Sequence, residues 1–202
     1  VVIFLITLYI SDLLYVFFLG GNVFEVNNKV KSGDLDYILL KPINSQFFIS
    51  CRYVMTNALI SLTILIFLLI RLTYVYHHNQ IILMNFVFYT FSIILGVFIF
   101  YSVEFTISCL AFWFRNFSYA GWLASELTKY SRRPDSIYKS WLRKSMFTIF
   151  PMAMICSVPS RMLLFGPDIQ LLILQFFIAI FFLVLTTIVW KQGLYRYESA
   201  SS

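Results

Sequence analysis

Four groups of side chains in this sequence could do chemistry: two carboxylates in apolar surroundings (Asp12, Glu104), adjacent histidines (His77, His78), three cysteines (Cys51, Cys109, Cys156), and the two-faced stretch KSGDLDYILLKPIN at 31–44. An unpartnered carboxylate inside an apolar span is costly. Asp12 and Glu104 are therefore candidates to face a pathway, a subunit interface or a cationic partner. Each has a plainer reading beside it: Asp12 hydrogen-bonding an expected preceding helix outside this sequence, and Glu104 contacting a basic belt near a helix end. Adjacent histidines point in different directions on most backbones, and no further ligand stands nearby, so no metal site is expected. The cysteines are isolated, without a CxxC, and read as small apolar packing residues. No catalytic residue is assigned.

The stretch at 31–44 asks for more. Ser32 suits a helix amino terminus, Asp34 suits the positive end of the helix dipole, and Pro42 disfavours the α conformation at Lys41. Roughly two turns remain between them. Leu35, Ile38 and Leu39 fall at i, i+3 and i+4 as an apolar stripe, with Asp34, Tyr37 and Lys41 on another face. So short a helix is not stable from propensity alone and must dock against something. It is either an interfacial loop helix that tidies a turn or a surface that meets a partner.

The surrounding chain fixes the setting. Of its 202 residues, 60% are apolar and 20% aromatic, and mean hydropathy is +0.84, too little polar surface to coat a soluble globule. The expected fold is an all-α, polytopic helical membrane bundle in one transmembrane domain, 1–202. Spans are expected at about 1–19, 52–76, 81–114, 145–165 (weaker, broken by Pro151 and Pro159) and 169–190. A 34-residue run at 81–114 would reach about 51 Å as one helix, longer than a hydrocarbon core of about 30 Å.

Charge arbitrates whether that run is one span or two. As one helix, it puts the cytoplasmic loop with 25–46, the basic segment 115–144 and the tail on one side. Thirteen of the fifteen Lys and Arg are then cytoplasmic, leaving Arg71 and Arg161 outside. One long helix is expected, with a cytoplasmic carboxyl terminus. The net charge of +6 then reflects an inner face near anionic lipid, and no nucleic-acid partner is required. The first visible span runs inward, so a preceding span is expected, giving about five of six visible. The segment after Pro134, with Ile137, Trp141 and Leu142 at helical spacing, reads as an amphipathic surface helix in contact with lipid headgroups or a partner.

Three ordered blocks carry a resemblance. VKSGDLDYILLKPINSQF, then Arg133, Pro134, Ile137, Tyr138, Leu142, Arg143, Phe147, Pro151, Ala153, Pro159, Leu164 and Gly166, then Trp190, Gly193, Leu194, Arg196, Tyr197, Ser199 and Ala200 resemble the type-2 ABC exporter permeases, a bacterial six-span subfamily. The resemblance implies a permease of the bacterial cytoplasmic membrane that pairs as a homodimer or heterodimer and exports a hydrophobic or amphipathic substrate by alternating access. It implies a separate ATP-binding subunit that carries ATP and Mg, with no cofactor in this chain. It also implies that Gly33, Asp34, Leu35, Asp36, Tyr37, Leu39, Lys41 and Pro42 form a coupling helix docking on that subunit, and that Pro151, Pro159 and Gly166 belong to an outer re-entrant region. From the residues alone, the chain has no GxxxxGK[ST] phosphate loop. A membrane-embedded lipid-modifying enzyme and a non-catalytic scaffold or channel are the competing classes.

Overall fold

The computed structural model describes residues 2–77, 83–114 and 120–197. Its axis is α6, Leu83–Cys109, whose last turn tightens into a 3-10 turn at Leu110–Phe112. The 81–114 run is thus one helix over its described length, and its rows serve as a ruler for everything packed on it. At one end Asn85 donates to the Leu163 carbonyl at 3.3 Å; near the middle Ser92 donates to Gln175 at 2.6 Å; at the other end Thr106 meets Thr186 at 3.1 Å. These rungs, with Ile155 packed at Gly96, set α9 (Met152–Phe165) antiparallel and α10 (Ile169–Arg196) parallel to α6.

A first helix, α1 (Val2–Tyr15), opens into a wide π turn at Val16–Gly20 and continues as α2 (Gly21–Ser32). The first span was expected to stop at about 19, before the Gly20–Gly21 pair. Instead the helix runs on, because the π turn's Phe17 carbonyl is taken by the Met55 N–H at 3.1 Å and Asn22 bonds both backbone groups of Tyr53, at 2.7 and 2.9 Å. The short α3 (Asp36–Leu39) and α4 (Ser45–Ser50) follow, then α5 (Ala58–His77). Side-chain caps start α4 and α10, with Asn44 accepting from Phe47 N–H and Asp168 from Leu171 N–H, both at 3.0 Å.

Among the described residues four helices, Val2–Ser32, Ala58–Val75, Leu83–Phe112 and Ile169–Arg196, are long and apolar enough to cross a membrane. A fifth crossing results if α8 (Ser140–Thr148) and Ala153–Phe165, bent by 97°, count as one span. That bend lies at Pro151. Pro159 was also expected to break the run, and it does not. Its missing N–H leaves the Ile155 carbonyl without its helical donor, and the Ser11 hydroxyl of α1 donates to that oxygen at 3.5 Å. Gly96 makes room there: a Cβ on it would stand 3.0 Å from the Ile155 oxygen. Between α6 and the 3-10 turn at Asp135–Ile137 lies α7, Ala120–Thr128.

Candidate functional site

The stretch 33–42 sits at the end of the bundle marked by Thr106, Thr186 and Trp190. Ser32 does not begin a helix, as its type had suggested; it ends α2. Gly33 then turns the chain in the left-handed region, at φ 80°, where a side chain would be strained. The Ser32 hydroxyl donates to the Asp34 carboxylate at 2.7 Å and closes the turn. A single helical turn, α3, follows and stops ahead of Pro42.

This small element holds because it is docked. Leu35 is fully buried and Ile38 is 3% exposed, so the inward face is Leu35 and Ile38, while Leu39, expected in the same stripe, is 39% exposed. Leu35 is therefore an anchor rather than a contact surface. Outward stand Tyr37, 74% exposed, and Leu40, 82% exposed, the latter outside the residues singled out from sequence. Beside them a cleft of about 270 Å³ is lined by Lys29, Asp34, Tyr37, Ile38, Lys41, Phe48 and Arg52. The Lys41 ammonium lies 4.1 Å from the Phe48 ring centre, and Arg52 lies 4.8 Å from that of Tyr53.

Ties run from this corner to the long helices. On α6, Tyr101 shares hydrogen bonds with Ser50 at 2.8 Å and Gln46 at 3.4 Å. On α10, the Trp190 indole donates to Ser45 at 3.2 Å, and Trp190 itself is 2% exposed, packed on Phe105 and Phe112. Just past α10, Tyr197 stacks edge-on against Phe112, and its buried hydroxyl lies in the field of the Asp36 carboxylate. Burial and that carboxylate together push its proton affinity up to about 12. The segment is thus linked to α6 and α10 through α4, on which it packs, and no sequence motif had marked Tyr101 for this.

The other candidates fall elsewhere. The Tyr15 hydroxyl donates to Glu104 at 2.6 Å, a partner on α1 in place of the basic belt. Asp12, half-buried one turn away, lies within electrostatic reach of both Glu104 and Arg132. The two carboxylates that the sequence separates by 92 positions therefore share one region of the bundle. His77 ends α5, and His78 lies outside the described residues, as do Ser199 and Ala200. Among the described residues no group of His, Cys, Asp and Glu could hold a metal ion.

Sequence reasoning missed a third charged cluster. The Asp135 carboxylate, on a residue 3% exposed, accepts from Arg161 at 2.6 and 2.8 Å and from Arg143 Nε at 2.7 Å. The Asp135 N–H points to the Ser157 hydroxyl at 3.4 Å. Placing 115–144 inside and Arg161 outside is incompatible with this contact, since the two ends of an ion pair share one depth. On the α6 ruler, Ile155 lies at Gly96 and Leu163 at Asn85, so Arg161 and Asp135 lie in the half of α6 remote from residues 33–42. Segment 129–148 therefore climbs into the bundle instead of staying at the coupling-loop end.

A protein-family model described as "ABC-2 family transporter protein" matches residues 1–201. No curated protein and no solved structure matches the chain.

Proposed function

Because the chain belongs to the ABC-2 transporter family and is a multi-pass permease subunit of an ABC transporter, we propose that residues 33–42 are its coupling element, docking on a separate ATP-binding subunit. The observation that carries this reading is the pairing of an exposed Tyr37 and Leu40 with a buried Leu35 and Ile38 on a single turn packed on α4, whose Ser45, Gln46 and Ser50 bond α10 and α6. An exposed aromatic and aliphatic pair beside a charged cleft has the make-up of an interface anchor with a polar rim. A push on that turn passes through α4 to α6 at Tyr101 and to α10 at Trp190, and meets Tyr197 at Asp36.

In this reading ATP and Mg bind the partner subunit, and this chain supplies no covalent chemistry. Two permease copies, identical or similar, enclose the path of a hydrophobic or amphipathic substrate moved outward by alternating access. The membrane is the bacterial cytoplasmic membrane, with residues 33–42 and the carboxyl terminus on its cytoplasmic side. Asp12 and Glu104 stand near the path or the subunit interface, and Pro159 and Gly166 shape its outer side, with Pro151 at the mid-height bend that leads there. Purification of the tagged chain from its own membrane tests the reading. A stoichiometric subunit with a phosphate loop should accompany the native chain and be lost from the Tyr37→Asp, Leu40→Asp double variant, while membrane content of the permease is unchanged. Retention of that subunit by the double variant would contradict it.

A further inference from the structure

The charges on α8 have no lipid-compatible explanation. α8 leaves α9 at 97°, close to the point where Ile155 meets Gly96, the middle residue of α6. It therefore projects from α9 near mid-height, packed on α9 and the 135–137 turn, and it carries Arg143 and Lys144 there. The side chains of Arg143 and Arg161 remain 43% and 34% exposed although both hold Asp135. Half-exposed cations at that height face a water-lined space, because hydrocarbon would leave them unsolvated. Asp135 offsets one of the three cations Arg143, Lys144 and Arg161, so the patch keeps an excess of positive charge.

Next to it is a groove of about 410 Å³ lined by Ser140, Arg143, Lys144, Phe147 and Thr148. Among the described residues no acidic side chain lines it. Asp135 fixes Arg143 through Nε, so the rest of that guanidinium is held in place at the groove wall before any ligand arrives. The Thr148 hydroxyl already donates to the Lys144 carbonyl at 3.1 Å, which leaves Ser140, Arg143 and Lys144 as the donors. Phe147 supplies an apolar wall, and Trp141 and Ile137, 71% and 65% exposed, extend apolar surface from the same helix and the turn before it.

We propose that the α8 groove binds the phosphate-class oxyanion headgroup of an amphiphile, which is the cargo of the permease. The inference rests on the permease reading and names its substrate chemistry: Arg143, Lys144 and Ser140 take the oxyanion, and Phe147 takes the start of the chain. The headgroup could equally come from free phosphate, so the test separates the two.

The full chain, solubilised in neutral maltoside detergent, is titrated with dodecyl phosphate and, separately, with inorganic phosphate, following the thermal unfolding midpoint. Dodecyl phosphate should raise the midpoint of the native chain and of Lys191→Gln, a cation remote from the groove. Lys144→Gln, which removes an exposed donor and leaves the Asp135 pairs intact, should need about tenfold more of it. Equal titrations for the native chain and Lys144→Gln would overturn the site, as would no response in the native chain. A response to inorganic phosphate as strong as to dodecyl phosphate would overturn the amphiphile and leave a free-phosphate site. The titration needs no ATPase, so a chain that retains its ATP-binding partner yet ignores dodecyl phosphate loses this inference alone.

Discussion

At residues 33–42 the charged and exposed side chains turn away from the bundle, whereas Asp135 turns inward and holds two arginines against α9. Both regions are short, irregular and polar on a chain that is 60% apolar. Their anchoring differs. The first is fixed by two buried aliphatic side chains and leaves Tyr37 and Leu40 unsatisfied at the surface; the second is fixed by its charges, and its apolar residues Ile137 and Trp141 are the ones left exposed. Exposed polar-rimmed anchors invite a partner, and inward-facing ion pairs hold a crosspiece at a set height. Substitutions should separate the two roles, stability on one side and coupling on the other.

The largest effect is expected at the crosspiece. Asp135→Asn leaves Arg143 and Arg161 facing each other without their carboxylate and should cost about 3 kcal/mol in unfolding of the detergent-solubilised chain. The Asp135→Leu, Arg161→Leu pair should be less damaged than either single change, since it removes the orphaned charge as well. Next comes the α6–α9 contact. Gly96→Val drives a side chain onto the Ile155 carbonyl and should lower stability by about 2 kcal/mol, read by the same unfolding measurement.

At the coupling turn the order reverses. Tyr37→Asp with Leu40→Asp should leave unfolding within about 0.5 kcal/mol of the native chain and reduce permease-stimulated ATP hydrolysis at least tenfold, an effect of about 1.4 kcal/mol on coupling. Leu35→Ala sharpens the contrast: a fully buried anchor should lose stability and stimulation together, by about 2 kcal/mol in the first. The smallest change is at Tyr197. Its proton is held to about 12, above the ordinary value near 10, so the folded state keeps that proton longer than the unfolded chain. The contribution of the neutral hydroxyl is complete below about pH 10 and is lost as pH rises through about 12. Tyr197→Phe should therefore remove part of the alkaline loss of stability between pH 10 and 12, and cost under about 1 kcal/mol at neutral pH.

The family and the helical membrane fold were legible because their signals are local: apolar runs of span length and three ordered blocks of residues. What escaped was set by contacts distant in sequence. The Gly20–Gly21 pair reads as a break, but Met55 and Asn22, from beyond and within the helix, satisfy the π turn and carry α1 into α2. Pro159 reads as a second break, and Ser11, 144 positions from Ile155, accounts for its survival inside α9. Ser32 has the right type for a helix start, yet Gly33 behind it makes it a helix end. Counting basic residues assigned Arg161 and the 115–144 segment to opposite faces, because a count of charges is blind to a carboxylate 26 residues away that gathers two of them. Where a charge faces solvent the sequence exposes it; where it faces another charge, only the packed chain does.

The most direct measurement places a photo-crosslinking side chain, benzoylphenylalanine, at Tyr37 in the full chain and identifies its adducts by mass spectrometry with and without nucleotide. Crosslinking to a polypeptide with a phosphate loop, altered in yield by ATP, is the expected result. Adducts confined to lipid, or to this chain's own helices, would contradict a coupling role for residues 33–42.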